Sequence, residues 1–419
     1  MSGFVGHGRH DVVTADELTS VEDHLAALID LLPRPDPIVL RLQDAMGLVL
    51  AETVTSHVSL PSFPNSAMDG YAVVAADLAG AAVDDPVHLP VIGEVVAGSA
   101  EVPSITPGRC VRIMTGAPLP VGADAVVPVE TTSGDRGQIA FHRAYEAGAN
   151  VRCVGEDLTP GQPLVAAGRR ITPADVALLA NAGETRVPCN PPPRVVVLST
   201  GDELVPADDA PGPGMIRDGN GPMLAALVRQ AGGTPFSGGI VRDDRKALMY
   251  ALDSNLGHAD LVVCSGGASA GTRDVLPDVI GALGEVTTAK VAMQPGMPQI
   301  LGRIRDVPIV GLPGNPVSAF VSFEVFVRPA LRTMQGRRDV ARPRVRAVAV
   351  ASMTSPPGKR SYLRVRLAHS DGRWTAAPTG AQGSHMVSSI ALADGLAIVP
   401  EDVTEVPAGS QVDVQLLVD

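Results

Sequence analysis

The second half of the chain alternates short apolar runs with longer helical patterns, and this alternation constrains the fold more than any other feature. The apolar runs are Val195–Leu198, a run near Ile240, Leu261–Val263 and Pro308–Val310, and the helical patterns are Asn220–Val228, Asp244–Leu256 and Val317–Met334. Buried strands that alternate with helices are typical of a parallel sheet covered on both faces. We therefore predict a central three-layer αβα domain with a parallel-type sheet over residues 189–337.

Two other regions have the pattern of β structure. Between residues 60 and 145, short β-like runs alternate with glycine and proline turns, which predicts a small β domain. From residue 338 to residue 419, apolar residues recur at every second position in several segments. This period predicts a C-terminal β barrel or sandwich, so we expect an α/β and β multidomain protein.

The first residues and the connections between these regions give weaker signals. Residues 1–18 are predicted to be a disordered tail. A helix is predicted to begin at Ser20, because Ser20 and Asp23 have the spacing of a capping box. A second helix with a threonine cap is predicted over residues 171–183, and the prolines of residues 188–193 predict a stiff linker.

The composition excludes several classes of protein. The formal net charge is −12 and aromatic residues make up 3% of the chain, so nucleic acid is not expected as a partner. No apolar run approaches the ~18 residues of a transmembrane helix, and the N-terminus lacks the apolar core of a secretory signal, so no membrane association is expected. The four cysteines are too widely spaced for a metal site or a disulfide framework, which predicts a cytoplasmic protein.

Glycine-rich and acidic loops follow the predicted strands. They are Ser199–Glu203, Arg242–Asp244, Ser265–Gly271 and Gly311–Pro316. Ligands of open α/β sheets bind beyond the carboxyl ends of the strands, where glycines admit a phosphate and carboxylates can hold Mg²⁺. The residues alone therefore predict a site for a small anion. Plainer interpretations exist, since a glycine loop can be a simple turn and Asp243 can be a helix cap.

A series of motifs carries a resemblance that goes further. They are Pro61-Ser-Phe-Pro-Asn-Ser-Ala-Met-Asp-Gly-Tyr-Ala72, Arg112–Pro120, Gly122–Glu130, Gly155-Glu-Asp157, Ser199–Leu204, Ser265–Gly271 with Asp274, Leu312–Ala319 and Gln382-Gly-Ser-His385. Together they resemble the molybdopterin molybdenumtransferase family, the bacterial relatives of the gephyrin E domain. The resemblance implies an elongated dimerisation domain over residues 19–59 and 146–188, an inserted β domain, an αβα domain of the molybdopterin-binding fold and a C-terminal β barrel.

The resemblance also implies a reaction. Family members are transferases of molybdenum cofactor biosynthesis that insert molybdate into adenylylated molybdopterin and release AMP in the presence of Mg²⁺. The active cleft would lie between the αβα domain of one subunit and the β domain of its partner in a homodimer, with molybdopterin adenylyltransferase and apo-molybdoenzymes as transient partners. Two alternatives stay open: an adenylyltransferase-like activity, and a non-catalytic molybdopterin-binding or scaffold paralogue.

Site residues follow from the positions that match the family's motifs. The catalytic positions implied are Asp69, Thr115, Asp157, Glu203, Asp243, Asp274, Lys290, Arg364 and Ser384. Among them, Asp243 and Asp274 would hold Mg²⁺, whereas Asp69 and Thr115 would come from the partner's side of the cleft. The substrate-binding positions implied are Gly201, Ser265, Gly266, Gly267, Ser269, Gly271, Pro313, Gly314, Asn315 and Pro316.

One motif departs from the family's pattern. Family members commonly carry Lys-Pro-Gly-Lys-Pro, where this chain has Gln294-Pro-Gly-Met297-Pro298. Because a neutral donor gives roughly half the strength of a charge-assisted hydrogen bond, weaker anion binding is expected there. Compensation by Arg303 or Arg217, or an altered duty of the chain, are the alternatives.

Overall fold

The computed structural model describes residues 18–135, 137–267 and 275–418. They form two compact units, one containing the described residues up to Ile38 and from Asn190 onward, the other Val39–Cys189. Nearly all of the predicted tail lies outside the described residues. No helix of the described part of the chain is long and apolar enough to cross a membrane.

The first unit contains a six-stranded sheet. Its strand order is Thr234–Val241, Arg194–Thr200, Leu261–Ser265, Val307–Leu312, Pro298–Ile304 and Glu285–Lys290. The first four strands are parallel, as predicted. The last two add antiparallel pairings, so the sheet is mixed. Only Arg305 and Asp306 separate Ile304 from Val307, and so short a turn requires antiparallel neighbours.

Helices cover both faces of this sheet. They are Asn220–Gln230, Arg245–Leu256, Val275–Leu283, Pro316–Ser322 and Arg328–Met334, with a π-helical turn at Phe323–Val327 between the last two. Along the strand Arg194–Thr200, Val195 and Val197 pack into one hydrophobic core, and Val196 and Leu198 pack into the other. The alternation of the strand thus produces the three layers, as predicted.

A closed five-stranded β barrel completes the first unit. Its strands in spatial order are Arg360–Ser370, Arg373–Pro378, Arg344–Ala349, Gln411–Leu416 and Gly395–Val399, and the last pairs again with the first. Alternate residues such as Val365, Ala397 and Val414 point into a core of their own. This confirms the barrel. A short strand, Met293–Gln294, adds to its edge beside Arg360–Ser361.

The helix Val21–Leu31 begins as predicted. The Ser20 hydroxyl oxygen accepts a hydrogen bond from the Asp23 amide at 3.0 Å, and Val21, His24 and Leu28 are buried.

The second unit is mainly β structure. Its six-stranded sheet has the order Ala125–Pro128, Gly70–Val73, Cys110–Ile113, Val87–Val95, Gln138–Phe141 and Thr132–Gly134. A three-stranded sheet joins Ile38–Arg41, Arg186–Asn190 and Val49–Leu50, and shorter pairs join Val54–Thr55 to Pro163–Val165 and Asn65–Ser66 to Val151–Arg152. The helix Pro173–Asn181 has the predicted threonine cap. The predicted linker over 188–193 is partly wrong, because the central strand Arg186–Asn190 includes its first residues.

Candidate functional site

The loops predicted to bind an anion lie at neighbouring strand ends in the first unit. Ser199 is in register with Ser265, and Ser265 is in register with Leu312. On the other side of the strand Arg194–Thr200, Thr200 is in register with Val241 of the neighbouring strand. Four carboxyl ends are therefore side by side, and the loops that follow them are brought together by the parallel order of the strands.

The loop after Ser265 needs its first two glycines. Gly266 has φ 95° and Gly267 has φ 68°, a backbone region that side chains disfavour. A Cβ on Gly266 would also overlap the Thr200 carbonyl oxygen. The backbone of this loop can thus pass close to its neighbours, as a ligand-binding loop requires. Ser269 and Gly271 lie outside the described residues.

Asn220 joins two of these loops, which sequence reasoning missed. Its side-chain Nδ2 donates to the Ser265 hydroxyl oxygen and to the Gly314 carbonyl oxygen, each at 2.7 Å. The Oδ1 atom of Asn220 and the hydroxyl oxygens of Ser199 and Thr200 are buried and have no hydrogen-bond partner among the described residues. The sequence feature that could have indicated this role is an asparagine at the start of a helix, directly after a strand-end loop.

The acidic residues lie beside this row of loops. The carboxylate of Asp244 caps the next helix, with its Oδ1 accepting from the Lys246 and Ala247 amides at 3.0 and 2.9 Å. The helix-cap interpretation of Asp243 is therefore wrong, because its neighbour takes that role. Partial burial, together with the negative charges of Asp202 and Glu203, raises the pKa of Asp243 above its ordinary value. The site concentrates negative charge that a cation would relieve.

The carboxylates fit a magnesium ion only in part. Within residues 18–135, 137–267 and 275–418, no three His, Cys, Asp or Glu side chains are placed to hold a metal. Asp274, the second predicted ligand, lies outside these ranges. Mg²⁺ usually keeps several waters and takes one or two carboxylates together with substrate phosphate oxygens. The oxygen donors at Asp243 suit such a shared ion rather than an ion enclosed by protein.

The turn Gln294–Pro298, which departs from the family pattern, is held in place by buried hydrogen bonds from Gln299. The Gln299 amide nitrogen donates to the Gly296 carbonyl oxygen at 2.7 Å and to the Ser322 hydroxyl oxygen at 2.6 Å, and all of these contacts are buried. Gln294 is exposed on the turn and Met297 is half-buried.

The three basic residues predicted to act at this turn, Lys290, Arg303 and Arg217, lie on different strands of the first unit. Lys290 is exposed at the end of its strand, and its carbonyl oxygen accepts from the Thr19 amide at 2.9 Å. Arg303 lies at the far end of the strand Pro298–Ile304, five positions from Pro298 and therefore about 17 Å along it. Arg217 donates to the Asp209 carbonyl oxygen at 3.1 Å. Compensation by Arg303 is therefore wrong on distance.

Arg364 is completely buried in the barrel strand. Its Nε donates to the Ser389 hydroxyl oxygen at 3.1 Å and its Nη2 donates to the Gly383 carbonyl oxygen at 3.2 Å. The described residues place no carboxylate within ion-pair distance of the guanidinium. Burial lowers the pKa of Arg364 to about 10. A buried cation without a counter-charge suits a site that receives an anion.

The loop that carries Ser384 meets the αβα domain. The Ser384 carbonyl oxygen accepts from the Val317 amide at 3.1 Å, in the first turn of the helix that begins at Pro316, directly after Asn315. Pro313 is buried, whereas Gly314 and Asn315 are exposed. The barrel loop therefore lies against the predicted substrate-binding loop.

In the second unit, the structure brings Asp69 and Thr115 together. The Asp69 Oδ1 accepts from the amide and from the hydroxyl of Thr115, each at 2.7 Å. These bonds, helped by the charge of Arg112, hold the pKa of Asp69 below its usual range. Asp157 lines a separate cavity of about 580 Å³, whose other lining residues are Leu60, Pro61, Arg152, Glu156, Leu178 and Asn181.

Family models match most of the chain. Residues 19–183 match the MoeA N-terminal region (domains I and II), residues 196–333 match a probable molybdopterin-binding domain, and residues 346–417 match the MoeA C-terminal region (domain IV).

Individual proteins match over almost their full lengths. Molybdopterin molybdenumtransferase 2 of Mycobacterium tuberculosis is 44% identical over 403 residues, which cover 95% of this chain and 99% of that protein. Molybdopterin molybdenumtransferase of Bacillus subtilis is 34% identical over 381 residues, 90% of this chain and 89% of that protein. The crystal structure of a molybdopterin biosynthesis MoeA protein from Pyrococcus horikoshii matches with a TM-score of 0.85 and 34% identity, covering 96% of this chain and 99% of that chain.

Proposed function

Because the chain belongs to the MoeA family of molybdopterin molybdenumtransferases, we propose that it inserts molybdate into adenylylated molybdopterin and releases AMP in a Mg²⁺-dependent reaction. Membership of the family makes it a transferase of molybdenum cofactor biosynthesis. The adenylylated substrate, the metal and the released nucleotide are the parts that we propose.

One observation carries the proposal: glycine loops and carboxylates meet at the carboxyl ends of four parallel strands. The backbone at Gly266 and Gly267 can approach a phosphate closely, and Asn220 fixes Ser265 relative to Gly314. Negative charge at Asp243 lies beside these loops. This combination supports the binding of a phosphorylated substrate together with a divalent cation.

Individual residues can then be given roles. We assign Mg²⁺ to Asp243 and Asp274, with Glu203 nearby, and when bound it would neutralise charge on the phosphoanhydride that is broken. Lys290 and the buried cation of Arg364 would attract the oxyanion. The loop with Ser384 would position it, since its backbone binds the helix after the substrate loop.

The remaining assignments concern the partner subunit and the setting of the reaction. We propose a homodimer in which Asp69, Thr115 and Asp157 of one subunit complete the cleft of the other. The low pKa of Asp69 supports a carboxylate that stays ionised near neutral pH. Molybdopterin adenylyltransferase would deliver the substrate and apo-molybdoenzymes would accept the product. Four free cysteines support a reducing cytoplasm.

The decisive experiment measures AMP release. Purified protein is incubated with adenylylated molybdopterin, molybdate and Mg²⁺, and AMP is followed by chromatography. We expect AMP to appear only when molybdate and Mg²⁺ are both present. Release without molybdate would contradict coupled insertion, and no release by a folded dimer would favour the non-catalytic paralogue.

A parallel reaction tests the adenylyltransferase alternative. Protein is incubated with molybdopterin, ATP and Mg²⁺, and adenylylated molybdopterin is sought as product. We expect none. Its formation would assign the chain to the preceding step instead.

A further inference from the structure

Arg242 is the only basic residue in the four loops that follow the parallel strands. It comes directly after Val241, whose register partner on the neighbouring strand is Thr200. The Gly201 amide donates to the Val241 carbonyl oxygen at 3.1 Å, so the pairing continues to the ends of both strands. The loop that carries Arg242 and the loop that follows Thr200 therefore lie side by side.

These two loops bring together the carboxylates of Asp202, Glu203 and Asp243. The Asp244 amide donates to the Arg242 carbonyl oxygen at 2.7 Å, and this tight turn has Asp243 at its apex. Partial burial, together with the negative charges of Asp202 and Glu203, raises the pKa of Asp243. Both neighbours are close enough to repel the charge of Asp243, so a cation placed among the three carboxylates would be stabilised.

Arg242 supplies a positive charge beside these carboxylates. Its Nε donates to the Asp202 Oδ1 at 3.3 Å, and the two side chains are 82% and 60% exposed. So exposed an ion pair contributes little to stability, because water screens it, and both side chains can leave it at small cost. Asp202 is therefore held by a weak contact that a stronger interaction can replace.

A guanidinium and a divalent cation compete for such a group of carboxylates. Mg²⁺ prefers oxygen ligands, and its binding beside Arg242 would bring two positive charges together. Three carboxylates meet at this strand end, yet no three His, Cys, Asp or Glu side chains of the described residues are placed to hold a metal. The contact between Arg242 and Asp202 gives a physical reason, because it directs one of the three carboxylates to the guanidinium.

We infer that Arg242 is an internal counter-ion that competes with the divalent cation for this strand end, and that Asp202 becomes an oxygen donor to the cation once Arg242 has left it. Neither residue is among the positions that the resemblance implies. The identity of the cation as Mg²⁺ rests on the proposed function, whereas the acidic group and its arginine do not. A cation that must displace Arg242 binds weakly to the protein by itself and gains affinity from the phosphate oxygens of a substrate.

Direct binding of Mn²⁺ tests this competition. Mn²⁺ accepts the same oxygen ligands as Mg²⁺, and the free ion is measured by electron paramagnetic resonance. The full-length protein is titrated at pH 7 and low ionic strength, where charges are screened least. We expect Arg242→Gln to tighten Mn²⁺ binding about fivefold, because a positive charge that repels the ion is removed. Added salt should reduce this difference.

Two further variants make the test specific. Arg305→Gln is the matched control, because the Arg305 Nη2 forms another exposed ion pair, with the Asp253 Oδ1 at 2.7 Å, outside the strand-end loops. It should leave Mn²⁺ binding unchanged. Asp202→Asn should weaken Mn²⁺ binding about two- to fivefold more in the Arg242→Gln protein than in the wild type, because the wild type must first break the pair with Arg242.

Several results would overturn the inference. They are unchanged or weaker Mn²⁺ binding by Arg242→Gln, the same gain in Arg305→Gln, and no Mn²⁺ binding by any of these proteins. Equal effects of Asp202→Asn in both backgrounds would overturn the role of Asp202 as a donor. AMP release is assayed in parallel. The expected Mn²⁺ binding without any AMP release would refute the proposed function and keep the counter-ion, whereas Mg²⁺-dependent release with unchanged Mn²⁺ binding by Arg242→Gln would refute the counter-ion alone.

Discussion

The Asp69 carboxylate accepts both hydrogen bonds that Thr115 can donate to it, one from the backbone amide and one from the hydroxyl, each at 2.7 Å. Both residues are exposed. The two residues are 46 positions apart in sequence, yet they form one exposed acidic site in the second unit. Such a pair contributes little to the fold, so we assign it to binding.

Thr115→Val tests this pair. The amide bond would remain and the hydroxyl bond would be lost, so the pKa of Asp69 should rise part of the way to its ordinary value. We expect AMP release to fall by up to about tenfold, the contribution of one hydrogen bond. Carbon-13 NMR of the aspartate carboxyl follows the pKa. Thr115→Ser keeps the hydroxyl and should behave as wild type, and an unchanged rate in Thr115→Val would exclude a role for the hydroxyl.

Asp243 gives a prediction with a defined sign in pH. Its pKa is raised in the folded protein, so its ionised form opposes folding. That cost is absent below the ordinary pKa of 3.8, grows as the pH rises from 3.8 to the folded pKa, and stays constant above it. Asp243→Asn should therefore raise the melting temperature at pH 7 and leave it unchanged at pH 3, while AMP release falls on the order of 100-fold.

Asp208→Asn is the matched control for this change. Asp208 is exposed in the loop between the strand Arg194–Thr200 and the helix Asn220–Gln230, and no role is assigned to it. We expect little change in melting temperature or AMP release. If Asp243→Asn were instead less stable at pH 7, the carboxylate would be a structural residue and its assignment to Mg²⁺ would be wrong.

Arg364 is predicted to be dispensable for folding. A buried charge without a counter-charge carries a desolvation cost of several kcal/mol, so its replacement by an apolar side chain should be neutral or stabilising. The Ser389 hydroxyl would keep its bond to the Met386 carbonyl oxygen, at 2.6 Å. We therefore expect Arg364→Met to unfold at the same or higher urea concentration at pH 7, with AMP release lost.

The pH dependence of stability tests whether the buried charge of Arg364 is the cause of this effect. Since burial lowers the pKa of Arg364 to about 10, the cost of its charge is present below that pH and disappears as the pH rises through it. The stability difference between Arg364→Met and wild type should thus shrink above pH 10. Arg366→Met, on the exposed side of the same strand, should differ from wild type by less than about 0.5 kcal/mol. A loss of stability in Arg364→Met would make the residue structural.

Sequence patterns identified the layers and the loops but not the two antiparallel strands of the main sheet, Pro298–Ile304 and Glu285–Lys290. The period of apolar residues fixed which side of each strand is buried, so Val195 and Val196 pack into opposite cores as expected. The strand Glu285–Lys290 was missed because it has few apolar residues and lies exposed at an edge. Periodicity detects burial, and an exposed edge strand has little.

Site residues whose role depends on local backbone conformation could be predicted from the sequence. Site residues whose role depends on contacts with distant parts of the chain could not. The glycines at 266 and 267 follow from the local loop. The bonds of Asn220 to Ser265 and Gly314 join residues far apart in sequence, and no local pattern reports them. Likewise the resemblance identified Arg364 as a polar position but could not indicate that it is fully buried.

Gln299 is expected to determine the shape of the turn at Gly296. Gln299→Leu would leave the Gly296 carbonyl and the Ser322 hydroxyl without their buried donor, which should lower the free energy of unfolding by about 2 kcal/mol. Ser322→Ala removes one of these contacts and should lower it by about 1 kcal/mol. Urea denaturation measures both. Equal losses would mean that the bond to Gly296 contributes nothing.

Gln294→Lys restores one of the two positive charges that the family's motif carries. Gln294 is exposed on a turn that Gln299 holds in place, so the change adds a cation without disturbing the fold. Because a charge-assisted hydrogen bond is roughly twice as strong as a neutral one, the molybdate concentration that gives half-maximal AMP release should fall about five- to tenfold. Thr287→Lys adds the same charge at an exposed position of the preceding strand and should change it little. An equal effect of the two lysines would attribute the gain to net charge, and no effect of Gln294→Lys would place the oxyanion away from this turn.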